Sequence, residues 1–262
     1  ELGPTADVSA ERSHFLPDGS RFGLQVKDWH LVKGHLPIPP FAQLKAGYGA
    51  VNVVPDADGV IRRAPLFFAH EGRLYPSLAM QTVISYLGLK EDQIRIAPGH
   101  EVTLVDTPRG TLHIPIDEHG QYRVNFLGDI GAFTPAYQYL DLHLAVEVPE
   151  KGERAKAAFK DRAVLIGLAS SGNTDMATTS IGRIPGVAVQ ATLVSDILTG
   201  NHLRFLPRWQ QMLLIIAAGA LLGLGMWPER GWLGISVFIT ASIFWCWAAF
   251  QAANANLMLP LV

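Results

Sequence analysis

Charged side chains are scarce in this sequence. Its 21 Lys and Arg and 23 Asp and Glu make up 17% of 262 residues, against roughly 25% in an average soluble protein. The shortage is concentrated at one end: between Trp209 and Val262 the only charges are Glu229 and Arg230. A tail that apolar is not stable in water, which excludes a purely soluble monomer. The formal net charge of −2, with no run of like charge, excludes the basic field that nucleic acid requires, and no nucleic-acid partner is expected. Cysteine is almost absent. Cys246 stands alone in the apolar tail, so the polar part has no thiol for a disulfide, a zinc site or a nucleophile.

Catalytic and metal motifs are missing as well. The nine histidines form neither H-x-H nor H-E-x-x-H, and no metal site is expected. The loop "GLASSGNTD" from Gly167 to Asp175 follows an apolar run and precedes a helix, a place where backbone N–H groups can hold an anion. It lacks the glycine spacing of dinucleotide loops, the Lys of nucleotide loops and the G-x-S-x-G elbow of hydrolases, so it reads as a structural turn and no cofactor is expected. Asp56 and Asp58 ahead of Gly59 have the alternate spacing of a calcium loop but not its remaining ligands. A hairpin turn with Gly59 at positive φ fits better. Arg62 and Arg63 would lie on a strand and point to opposite faces, one pairing with Asp56 or Asp175 and the other solvated. Asp175 itself suits an N-cap or Asx turn. Asp117, Glu118 and His119 sit at a turn tip beside Gly120, where solvated polar residues are expected.

What is present is an α/β pattern with a mixed α+β sheet. Residues 1–40 are rich in turn formers, with a strand over 22–26 and a short helix over 41–46. Runs at 49–54 and 60–68 flank "PDADG" as a hairpin, and Ser77 caps a helix over 78–87 that Gly88 ends. "EVTLVD", "GTLHIPI" and "QYRVNFLG" read as an antiparallel meander. Helical stretches are expected over 139–146 and 153–159. "RAVLIG" reads as a continuous buried strand, and an apolar helix over 187–198 ends at Gly200.

The tail has its own organisation. Residues 209–228 and 231–251 are each free of charge inside and long enough to cross the hydrocarbon core as helices, and "PER" breaks them into a hairpin. Five of the six tryptophans, Trp209, Trp227, Trp232, Trp245 and Trp247, lie near the segment ends, as interfacial rings do. Gly219 and Gly223 form a small-xxx-small spacing for helix packing. Residues 257–262 read as the opening of a third span. The layout is thus a polar domain over 1–206 followed by membrane helices, in a chain expected to be an internal piece of a longer protein.

Three runs carry a resemblance: "GYGAVNVVPDADGVIRRAPL" from Gly47, "IPIDEHGQYRVNFLG" from Ile114, and "FKDRAVLIGLASSGNTDMATTSIGRIPGVAVQATLVSDILTGNHL" from Phe159. In this order they resemble the second type of CHASE domain, the sensory extracellular domain associated with cyclases and histidine kinases. The resemblance implies a bacterial inner-membrane protein with residues 1–206 outside the cytoplasm, three membrane helices and a cytoplasmic output module: a nucleotide cyclase, a histidine or Ser/Thr kinase, or a diguanylate cyclase. It implies an N-terminal anchor and α/β stretch ahead of Gly47 that are largely missing here. It marks Asn52, Asp56, Asp58, Gly59, Arg62, Arg63, Gly167, Asp175, Pro185 and Gly186 as motif positions without assigning them a ligand. The sequence departs from the family pattern at Thr178 to Ser180 and at Gln190. The function expected is that of a sensor and membrane linker, without catalysis in this piece, with membrane lipid, an unidentified small-molecule or physical stimulus and a second copy of the chain as partners. The alternatives are a membrane-tethered enzyme working through Ser170, Ser171 and Asp175, or a non-sensing membrane accessory.

Overall fold

The computed structural model describes residues 47–70, 73–126, 128, 131, 153, 156–169, 175–206, 208–225, 231–254 and 256–258. The elements expected at 22–26, 41–46 and 139–146, and most of the loop with Ser170 and Ser171, lie outside these. The chain divides into two compact units, Glu1–Asn201 and His202–Val262.

In the first unit the chain forms β1 (Arg63–Pro65), β2 (Phe67–His70), β3 (Arg73–Pro76), α1 (Leu78–Leu87), β4 (Ile94–Ala97), β5 (Glu101–Thr107), β6 (Gly110–Pro115), β7 (Gln121–Arg123), β8 (Met176–Thr179), β9 (Gly182–Pro185) and α2 (Gly186–Thr199). These are small mixed α/β sheets, the α+β class that the patterning implied. α1 keeps the expected bounds because its caps are chemical: the Ser77 hydroxyl accepts the Met80 N–H at 3.2 Å, and Gly88 takes the left-handed conformation at φ 65°. α2 ends likewise at Gly200, φ 68°. The helices pack against each other. Met80, Val83, Leu193 and Ile197 join Leu66, Phe67, Leu104, Ile114 and Tyr122 in one core, each side chain contributing about 1.5–3 kcal/mol by leaving water.

Three strand expectations are corrected. Residues 49–54 do not pair with 60–68; Ala50 instead bridges Ser77 at the entry to α1, its N–H donating to the Pro76 carbonyl at 3.0 Å. The run 60–68 has its partners elsewhere: Ile61 bridges Thr179, β1 pairs with β7 and β2 with β3. The turn at "PDADG" forms all the same, closed by Gly59 N–H to the Asp56 carbonyl at 2.8 Å with Gly59 at φ 78°. The meander is β4-β5-β6, not β5-β6-β7. The fully buried Tyr122 bonds Asp196 on α2 while β7 pairs with β1, and "IRIA" takes the edge of β5 opposite β6.

The third correction concerns "RAVLIG". Among the described residues this run joins no sheet, and Val164, Ile166 and Leu168 are 48%, 79% and 66% exposed. A continuous apolar run is buried only where neighbours cover both its faces; here Ala163 packs against the core and Gly167 lies against Val187 of α2, while the alternate side chains Val164, Ile166 and Leu168 stay exposed.

The second unit contains β10 (Arg204–Phe205), α3 (Arg208–Gly225), α4 (Gly231–Asn254) and β11 (Leu257–Met258). α3 and α4 pack against each other. Leu257 and Met258 form a parallel pair with Arg204 and Phe205 in place of the helical opening expected there. Among the described residues no helix is long and apolar enough to cross a membrane; residues 226–230 and the side chains of 231–235 are outside the description. Gly219 and Gly223 have open space where a Cβ would stand.

Candidate functional site

The motif residues fall into two groups. In the first, the turn after Pro55 folds back so that both arginines of "IRR" meet its acids. Arg62 bonds both Asp58 oxygens, at 2.8 and 3.1 Å, and one Asp56 oxygen at 3.1 Å. Arg63 takes the other Asp56 oxygen at 2.6 Å and reaches Asp117 at 3.4 Å. The expectation of one paired and one solvated arginine fails because the turn brings Asp56 within reach of both, although the Arg62 carbonyl keeps a strand-like bond from the Val124 N–H at 3.0 Å. Neither arginine pairs with Asp175.

This network is internally satisfied. The Arg63 hydrogen bond, supported by Arg62, holds the Asp56 carboxyl below the usual carboxylate range, and Arg62 with the Val60 N–H lowers Asp58 to about 2. Their acids raise both guanidinium pKa values further. Asp117 is more than a solvated tip residue: one of its oxygens accepts the His119 and Gln121 N–H groups at 2.9 Å each. Acids already committed to arginines are poor cation ligands, and among the described residues no acid, His or Cys cluster could hold a metal ion. Asn52 is exposed and makes no side-chain hydrogen bond among the described residues.

The second group surrounds the start of α2. Pro185 is its N-cap residue at φ −60°. The Asp175 carbonyl accepts the Gly186 N–H at 3.0 Å, and the Asp175 carboxylate lies where a Gly186 side chain would be, with Oδ1 2.5 Å from an ideal Cβ. An acid beside a helix N-terminus is favoured by the helix dipole. The Ile61 N–H to Thr178 carbonyl bond, 2.7 Å, joins the two groups through β8.

The sequence reading missed a third cluster. Asp196 on α2 is wholly buried; its Oδ2 accepts the Tyr122 hydroxyl at 3.2 Å and the Asn125 backbone N–H at 2.9 Å, while Oδ1 has no partner. Burial raises its pKa to about 7 against the opposing hydrogen bonds, and burial with the neighbouring carboxylate raises that of Tyr122. The available signal was periodicity: Val189, Leu193 and Asp196 fall at i, i+4 and i+7, which places an acid on the apolar stripe.

The CHASE2 domain profile matches residues 8–225. This chain belongs to the CHASE2 domain family. CHASE2 is an extracellular sensory domain of signal-transduction receptors, and it is not catalytic. The match covers all three motif runs and takes in α3 to its last residue, Gly225. No curated protein and no solved structure matches the chain. With the CHASE2 fold assigned, the saturated Arg62–Arg63–Asp56–Asp58 network reads as the clasp of its opening turn, and Asp175 as the packing partner of Gly186.

Proposed function

We propose that this CHASE2 chain is the extracytoplasmic sensor and membrane linker of a bacterial inner-membrane receptor, relaying a stimulus to a cytoplasmic output module: an adenylate or guanylate cyclase, a histidine or Ser/Thr kinase, or a diguanylate cyclase. The observation that carries the reading is the family match over residues 8–225. In this reading residues 1–206 are the sensory domain, and 209–228 and 231–251 cross the membrane. Support comes from the near absence of charge after Arg208 and from bulky apolar side chains left exposed on both tail helices, among them Ile216, Phe238, Ile243 and Phe250. Such a surface is suited to lipid and costly in water.

The receptor works as a homodimer, and the open Gly219 and Gly223 give a second copy a place to approach α3 closely. A stimulus, small-molecule or physical, acts by favouring one conformation of the sensor over another; equal affinity for both would transmit nothing. Reporter fusions test the topology. A fusion after Gly128 is expected to report an extracytoplasmic position and one within "PER" a cytoplasmic one; a cytoplasmic signal after Gly128 overturns the reading.

A further inference from the structure

Asp196 stands three residues before the last residue of α2, and its own carbonyl accepts the Gly200 and Asn201 N–H groups that close the helix. Its side chain reaches β7 through Tyr122 and the following segment through the Asn125 N–H. The Asn125 side-chain amide in turn donates to the Asn201 carbonyl at 3.2 Å. One end of α2 is therefore tied to residues 122–125 by three polar bonds, two of them ending on a single carboxyl oxygen. We propose that Asp196 is a proton-operated latch between the end of α2 and the β7 region, closed when its carboxyl is protonated and released when it ionises. The proposal rests on the sensor reading only in making this latch part of stimulus detection; the latch itself is a property of the folded chain.

The chemistry follows from the unpartnered oxygen. A neutral carboxyl keeps Oδ2 as a carbonyl that accepts both donors and leaves a single O–H unbonded. An ionised carboxyl places charge on Oδ1, where no donor meets it, inside the core. The negative end of the α2 dipole opposes that charge too. Relief requires water at Oδ1, and water enters only if the end of α2 and residues 122–125 separate.

No cation offsets the charge among the described residues. Nothing else in α2 ionises. Of the elements packed on it, α1 offers only Tyr86, whose hydroxyl bonds the Asp161 carbonyl; β6 offers His113, paired with Glu101; β8 has no ionisable group; β9 has the exposed Arg183. β7 adds the exposed Arg123 beside Tyr122, and Arg109 in the β5–β6 turn bonds the Leu198 carbonyl.

The test uses the full chain in lipid nanodiscs. Amide hydrogen exchange is followed over residues 121–126 and 193–201 between pH 5.5 and 8.5, after correction for the intrinsic base-catalysed rate. Wild type is expected to lose protection several-fold as pH rises from 5.5 to about 7 and to level off above it. Asp196→Asn, an isostere of the protonated acid, should keep the low-pH protection throughout. Tyr122→Phe removes a bond that favours the ionised form and should move the levelling-off to higher pH; it is the deciding variant should Asp196→Asn not fold. Protection that varies equally with pH in wild type and in the variant that folds, or that does not vary in wild type, overturns the latch. Topology fusions report on the sensor reading separately, so either can fail alone.

Discussion

Arg63 donates to Asp56 at 2.6 Å while Arg62 holds the other oxygen of the same carboxylate, so one acid anchors two consecutive arginines. This turns a surface turn into a clasp. Asp56→Asn is expected to destabilise the domain by about 1–2 kcal/mol, since it weakens charge-assisted bonds to both partners in a partly exposed setting. Arg62→Ala, which leaves the Arg63–Asp56 pair intact, should cost measurably less. Urea unfolding of the two variants gives the order; a larger loss for Arg62→Ala would contradict the clasp.

The clasp also predicts behaviour in acid. The folded-state pKa values of Asp56 and Asp58 lie below the ordinary value of 3.8, Asp58 near 2. Their contribution is therefore present above about pH 4 and is lost as pH falls through the folded values. Carbon-detected carboxyl titration should show Asp58 still ionised at pH 3, and high salt should weaken the effect.

Asp196 has the opposite sign. Its folded pKa of about 7 lies above the unfolded value of 3.8, so between those limits the native chain keeps a proton that the unfolded chain has released. Stability should fall as pH rises from about 4 to 7 and level off above. Asp196→Asn removes this slope and should raise stability at pH 8, by at most about 4 kcal/mol. Thermal melts of both proteins across this range check it.

Gly186 and Asp175 form a coupled pair. Gly186→Ala places a methyl group against the Asp175 carboxylate and should cost about 1–3 kcal/mol as overpacking does. In an Asp175→Ala background the same substitution should cost clearly less. Equal costs in the two backgrounds would place the strain elsewhere.

The cap of α1 offers a simpler check. Ser77→Ala removes the acceptor of the Met80 N–H and should destabilise the domain by about 1 kcal/mol, with Ser77→Asp retaining most of the stability. Urea unfolding measures both.

What the sequence determined by itself was local or compositional. Ser77, Gly88 and Gly200 set helix ends because caps act within a few residues of chain, and Gly59 marked a turn because few other residues take its φ. The charge-poor tail announced helices for the same reason: α3 and α4 lie at the expected places. Tertiary structure decided what needed partners distant in sequence. Whether 49–54 paired with 60–68, whether β7 joined β6 or β1, and whether "RAVLIG" was covered all depend on which edges and faces other segments reach first. Arg62 and Arg63 converge because the turn folds Asp56 back beside both of them, in a run whose strand β1 starts at Arg63 and not at residue 60. Asp196 read as one acid in an apolar helix until Tyr122, 74 residues away, closed over it; burial is a property of the assembled core, and it is burial that sets the charge of that carboxyl.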